Sequence, residues 1–336
     1  MISRPRVALA MQNERLRDAL FSTHLRRRLD RLAECDFSLV IKDFADVPSD
    51  TLATVDVLLT GWGAPRIDSA ALADMPRLKL IAHAAGTVKA HVDPACWDHG
   101  ITVTTAAAAN ALPVAEFTLA QILLAGKAAL KASHLYRQRQ SKIDTQTELH
   151  DVGNYDRIVG IVGASTIGRL LMERLQAFDL DIALYDPTIT ATDAELLGAK
   201  LVDLDELMRM SDIVSIHAPL LPETVGMIGA AQLGQMRDGS TLINTARGKL
   251  VDHGALRDQL MTGRIYAFLD VTDPEPLNPG DPLFNLPNVQ LTPHIAGSLG
   301  TELHRMTFYA LDEIENFAQG APAHYPVRRE DLSRMA

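Results

Sequence analysis

The feature that most constrains this chain is a repeated alternation. Short aliphatic runs recur along it: RVALAM, VDVLLT, LKLIAHA and ITVTTA first, then RIVGIVG, DIALYD, DIVSIHA, STLINTA, AFLDV and NVQLTP from Arg157 onward. Most are separated by segments with helical spacing. In NERLRDALFSTHLRRRLDRLA, Leu16, Leu20, Leu25, Leu29 and Leu32 carry that spacing. Runs without polar alternation belong to strands buried on both faces, and the intervening helices supply the cover. The pattern therefore predicts parallel sheets with helices on each side.

The alternation is interrupted once. A long helix is predicted over PVAEFTLAQILLAGKAALKASHLYRQRQ, with Pro113 suited to its first turn. Polar, irregular SKIDTQTELHDVGNYD follows, and then the strands restart. A length of 336 residues accommodates about two domains. The last helical segment, TELHRMTFYALDEIENFAQG, is followed by no run that pairs easily, so it is expected to pack back on the first domain. Asp and Glu (42) outnumber Lys and Arg (32), a net charge of −10, which disfavours nucleic acid as a partner. Cys35 and Cys96 lack metal or redox spacing and read as buried thiols of a reducing compartment. The apolar run near the N-terminus is too short for a signal peptide, and no stretch is read as reaching the roughly 18–20 apolar residues of a membrane span. These observations lead to the expectation of a cytoplasmic, soluble protein with no membrane partner and no metal.

The turn after RIVGIVG reads GASTIG, close to the G-x-G-x-x-G fingerprint of dinucleotide-binding turns but with Ser165 at the middle glycine. Gly163 suits the tight exit from the strand and Gly168 the close packing of helix on strand. The next strand ends at Asp186, 18 residues past Gly168, where a carboxylate accepts from both ribose hydroxyls and repels a 2′-phosphate. Ser165 has two readings: its hydroxyl donates to a phosphate oxygen, or its side chain blocks the cofactor.

Downstream, Arg247 follows one strand (LINTARGKLVD), Asp270 and Glu275 follow another (LDVTDPEPL), and His294 follows the last (LTPHIAGS). Strand C-termini face the ligand crevice in a doubly wound sheet. Singly, these are as readily a surface ion pair, a loop charge and a hydrogen-bonded structural histidine. As a set behind a nucleotide turn they suggest a catalytic group.

These motifs, with NALPVAEFT and DIVSIHAPLLPET, resemble the D-isomer-specific 2-hydroxyacid dehydrogenases, and the resemblance covers nearly the whole chain. It implies a Rossmann nucleotide domain (110–297) inserted in a flavodoxin-like substrate domain (1–109 and 298–336), NAD as cofactor, and a homodimer built largely on the nucleotide domains. It implies Arg247, Glu275 and His294 as catalytic residues, with Arg247 also binding substrate. Asp270 would hold the nicotinamide carboxamide, and Thr166, Ile167, Ala218, Thr245, Ala246 and the Ala296–Gly297 backbone would touch the cofactor. Backbone amides at Gly86 and Thr87 would hold the substrate carboxylate.

The expected reaction interconverts a small 2-oxo acid and its D-2-hydroxy acid. Arg247 orients the acid and polarises its carbonyl. His294 exchanges a proton with the oxygen at C2, and Glu275 pairs with the other ring nitrogen. Three departures stand out: Ser165, Thr272 where many members carry an aromatic residue, and a substrate loop reading HAAGTVKAHVD rather than RAGVGVDNID. The turn GWGAPRID carries Trp62 where phosphoglycerate-type members place arginines, which favours an unphosphorylated acid, although Lys89 and His91 offer compensation. The alternative reading is a non-enzymatic, NAD-sensing regulator on the same scaffold.

Overall fold

Two all-parallel sheets organise the computed structural model, which describes residues 4–333 and 335. The described residues fall into two compact units: those up to Asn110 together with those from Ser298 onward, and Ala111–Gly297.

The first unit holds β1 (Arg6–Ala10), β2 (Glu34–Ile41), β3 (Val57–Thr60), β4 (Leu80–His83) and β5 (Thr102–Thr105), in the order β2-β1-β3-β4-β5. That is the flavodoxin-like order of a doubly wound sheet. Successive residues serve opposite faces. Leu59, Leu80 and Ala82 join Leu20, Leu25 and Leu29 in one core, while Leu58, Ile81 and Val103 enter the core on the other side. The helix Leu303–Gln319 packs into the first of these cores through Leu303, Met306, Ala310, Leu311 and Ile314, as expected for a segment that returns to this unit.

The second unit holds β6 (Arg157–Val162), β7 (Leu180–Tyr185), β8 (Lys200–Leu201), β9 (Ile213–Ile216), β10 (Thr241–Asn244), β11 (Tyr266–Leu269) and β12 (Val289–Leu291). Their order is β12-β11-β10-β9-β6-β7-β8. The direction of winding reverses between β6 and β9, the switch point at which doubly wound sheets take their ligands. Ile161, Ile243 and Phe268 face one core; Val162, Leu242 and Leu269 face the other.

Four local expectations need correction. The first helical segment is two helices, Glu14–Leu20 and Thr23–Leu32, because Ser22 leaves helical geometry and its hydroxyl caps the second. The long helix starts at Ala107, so Pro113 lies inside it rather than in its first turn; the preceding residues, mostly alanine, extend the helix upstream. It ends at Gly126, and a separate helix, Ala129–Arg139, follows left-handed Ala128. That 20-residue helix is also long and apolar enough to cross a membrane by composition, with mean hydropathy 1.4, but Ala109, Ala115, Thr118 and Ile122 are fully buried in the fold. Finally, a short extended segment does follow the last helix: Pro326 bridges antiparallel to Thr104, flanked by backbone bonds between Tyr325, Val327 and β5.

Candidate active site

Gly163 leaves β6 with φ +103, in a region that favours glycine, and a Cβ there would lie 2.7 Å from the backbone nitrogen of Ala218. At Gly168 a Cβ would lie 2.2 Å from the Gly163 carbonyl oxygen, so the following helix (Thr166–Leu175) sits against the turn only because this residue has no side chain. The middle position makes no such demand. Ser165 has φ −63 and ψ 175, extended backbone open to any residue, and its Oγ accepts from the Gly168 amide at 3.3 Å as the helix N-cap. Its hydroxyl hydrogen remains available to donate. Among the described residues nothing accepts from the amides of Thr166 and Ile167, so two N–H groups and the helix dipole are presented to an anion.

Asp186 follows β7 directly. One carboxylate oxygen accepts from the Ala164 amide at 2.7 Å; the other accepts from the Thr188 amide at 2.8 Å and its hydroxyl at 2.6 Å. Partial burial pushes its pKa up, but these bonds outweigh burial and hold it below the ordinary aspartate value, so the group is ionised at neutral pH. It ties the glycine turn to the end of β7 and keeps lone pairs for further donors. An unblocked turn, free helix-terminal amides and an ionised carboxylate on the next strand fit a dinucleotide.

The remaining groups follow β10, β11 and β12. Buried Asp270 accepts from the Thr292 hydroxyl (2.6 Å) and from the amides of Ile295 (2.8 Å) and Ala296 (2.9 Å). It thereby shapes the turn that bears His294, whose φ of 56 is left-handed and whose own amide donates to the Asp270 carbonyl. His294 Nδ1 meets Glu275 Oε1 at 2.7 Å. The pair is half-exposed, so it adds little to stability. What it fixes is the ring: one nitrogen is engaged and Nε2 is left to exchange a proton.

Arg247 is half-buried, and its Nη1 donates to the Ala246 carbonyl at 2.6 Å. Among the described residues no carboxylate lies within ion-pairing distance. Burial lowers its pKa, the charge of Glu275 opposes this, and a guanidinium remains charged regardless. The structure thus joins Glu275 to His294 directly and leaves Arg247 without an ion-pair partner among the described residues. Thr245 is buried with its hydroxyl against that of Thr118; Ala246 and Gly297 are half-buried on the same strand-end turns.

In the first unit, the loop after β4 carries Gly86 and Thr87. Their carbonyl and hydroxyl groups are used internally, but among the described residues no acceptor faces their amides. His83 and His91 lie buried beneath this loop with ring centroids 4.5 Å apart, and burial drives the pKa of His91 down to about 4. The sequence does not single out Asn244, Thr118 or Thr292; Asn-Thr in LINTARG is their nearest signal, and it does not reveal which backbone groups the asparagine serves.

Residues 119–296 match the model of the D-isomer specific 2-hydroxyacid dehydrogenase NAD binding domain. The chain is 31% identical over 263 residues to a D-3-phosphoglycerate dehydrogenase of Archaeoglobus fulgidus, covering 78% of this chain and 49% of that protein. It is 36% identical over 272 residues to a glyoxylate reductase of Aeropyrum pernix, covering 79% and 81%. It therefore spans about half the length of the phosphoglycerate dehydrogenases it matches. A crystallised phosphoglycerate oxidoreductase of Rhizobium etli shares the fold, with a TM-score of 0.83 and 24% identity over 98% of this chain and all of that one. The inserted seven-stranded unit, its glycine turn and the ordered strand-end motifs all agree with these likenesses, and the chain belongs to the D-isomer specific 2-hydroxyacid dehydrogenase family.

Proposed function

We propose that this protein is an NAD-dependent oxidoreductase that interconverts a small 2-oxo acid and its D-2-hydroxy acid. The observation that carries this reading is the 2.7 Å Glu275–His294 pair on the strand-end face of an NAD-binding unit that also holds the unpaired cation Arg247. NADH, held by the glycine turn and Asp186, would supply a hydride to C2 of the oxo acid. Arg247 binds the carboxylate and keto oxygen with two parallel donors. His294 Nε2 delivers the proton to the oxygen at C2 and recovers it in the reverse direction, while Glu275 holds the ring. Gly163, Thr166, Ile167 and Gly168 cradle the pyrophosphate, and Ser165 tolerates it. Asp186 takes the adenosine ribose and selects NAD over NADP. Ala218, Thr245, Ala246, Asp270 and Gly297 line the remainder of the cofactor. Residues 110–297 serve as the nucleotide domain, and 1–109 with 298–336 as the substrate domain, where the free amides of Gly86 and Thr87 suit an anionic acid.

The substrate is an unphosphorylated acid such as glyoxylate or hydroxypyruvate. This is supported by what surrounds the two candidate loops of the first unit: Trp62 is part-exposed, Arg66 is committed to Asp93 at 2.7 Å, and His91 is buried and neutral at pH 7. Of the charged basic side chains on these loops, Lys89 is the one with no ion-pair or hydrogen-bond partner for its side chain among the described residues. We also propose a homodimer. Residues 127–152 form an arm whose ends are closed by the Gly153 amide on the Gly126 carbonyl and the Asn154 side chain on the Leu123 carbonyl. Its helix Ala129–Arg139 has no fully buried residue, though Leu130 packs against the core, and Tyr136 and Leu124 are exposed, which suits a surface covered by a second copy. Two free thiols suit the cytoplasm. NADH oxidation measured across a panel of 2-oxo acids tests the activity; turnover with no member of the panel would reject it.

A further inference from the structure

Among the described residues the guanidinium of Arg247 has no ion-pair partner, yet the turn that carries it is held by several hydrogen bonds. Asn244, the last residue of β10, is fully buried. Its side-chain carbonyl accepts from the Ala246 amide at 3.0 Å and its side-chain NH2 donates to the Arg247 carbonyl at 2.9 Å. One side chain thus closes the Asn244–Arg247 turn at two points, and both partners dictate the same orientation of the amide. The turn is gripped elsewhere as well. The Thr118 hydroxyl donates to the Val114 carbonyl at 2.7 Å, which leaves the Thr245 hydroxyl to donate to Thr118 at 2.8 Å. On the far side, a Cβ at Gly248 would stand 2.0 Å from the Thr272 carbonyl oxygen, three residues before Glu275.

We propose that Asn244 is a positioning residue, whose two-point closure of this turn fixes the direction of the Arg247 guanidinium and so sets the binding of the 2-oxo acid. This rests on the reading of Arg247 as the substrate-binding arginine. The guanidinium donates to the Ala246 carbonyl at 2.6 Å, so a turn closed at Ala246 and Arg247 holds both the root of the side chain and the acceptor of its head, and limits the orientations it samples without occupying the charge that substrate must meet.

The test uses the full chain and glyoxylate, with Asn244→Ala and the near-isosteric Asn244→Asp, which keeps the acceptor and loses the donor. Both are expected to lower kcat/KM by roughly 10- to 100-fold, the scale of an ångström-level misplacement. NADH affinity by fluorescence titration should fall by less than kcat/KM does, because Thr245 and Ala246 on this turn are only part of the cofactor's lining, and oxamate binding to the NADH-loaded protein should weaken by the same factor as KM rises. Each substitution is repeated in an Arg247→Ala background, where it should cost less than about twofold, because residues acting through one another are not additive. An equal loss in both backgrounds, or unchanged kcat/KM for Asn244→Asp, overturns the inference while leaving Arg247 in its role. Full activity of Arg247→Ala alone instead overturns the reading of the arginine, and the inference with it.

Discussion

Ser165→Gly restores the glycine that the fingerprint lacks, and the structure sets the size of its effect. The substitution removes the cap on the Gly168 amide, worth only a few tenths of a kcal/mol against glycine. It also frees the unfolded chain at an extended position, costing about 0.4–1 kcal/mol. Together they destabilise by about 1 kcal/mol, a Tm fall of roughly 2–4 °C for a unit of this size. For the cofactor, the hydroxyl has one hydrogen to offer and the amides of Thr166 and Ile167 remain in place. If those amides do the binding, NADH affinity changes by less than about 1 kcal/mol, or roughly fivefold. A hydroxyl that were itself a required phosphate ligand would cost about 1.5–3 kcal/mol, the value of a hydrogen bond to a charged group. Fluorescence titration of NADH separates the cases. A tenfold or greater loss of affinity, alongside the modest Tm change, would refute the view that Ser165 is merely accommodated.

Three further outcomes are expected. Steady-state kinetics should favour NADH over NADPH, because the carboxylate of Asp186 is ionised and tied in place; equal or better kcat/KM with NADPH would contradict its role. Glyoxylate or hydroxypyruvate should exceed phosphohydroxypyruvate in kcat/KM; a clear preference for the phosphorylated acid, lost in Lys89→Ala, would make that lysine a phosphate anchor. Stability should fall as pH drops below about 6.5, the ordinary histidine value. Burial lowers His217 to about 3, His91 to about 4, and His83 well below its ordinary value, so the unfolded chain binds more protons throughout that window. Each contributes about 1.4 kcal/mol per pH unit at full slope, and a Tm that stays flat from pH 7 to 5 would contradict their neutrality in the folded state.

Much of the fold is legible because buried parallel strands are nearly uninterrupted aliphatic runs. β2 escapes notice because it is an edge strand with Glu34, Asp36 and Ser38 on exposed positions, and β8 because two residues carry no pattern. The proposed reacting groups are legible as residue types at strand ends. Their supports are not. Thr118 and Thr245 meet across 127 positions, and the turn of His294 depends on three bonds to Asp270 from 22 to 26 positions away. Nothing in local composition reports such pairs; the first becomes visible only when the helix Ala107–Gly126 packs against the end of β10, the second only when the sheet order brings β11 and β12 side by side. The fingerprint is the instructive middle case. Its outer glycines are dictated by backbone geometry, whereas the dihedral angles of Ser165 show that the middle one is not.

On the proposed mechanism, His294 moves the proton in an NAD-linked reduction of a 2-oxo acid. The most direct measurement follows NADH absorbance and chiral product together for the native chain and His294→Gln, each saturated with NADH. One D-2-hydroxy acid is expected per NADH oxidised, with kcat falling by about 10²–10⁴ in the variant while NADH affinity is retained. Native protein that binds NADH tightly yet oxidises it with no 2-oxo acid, or a variant that turns over at the native rate, would contradict it.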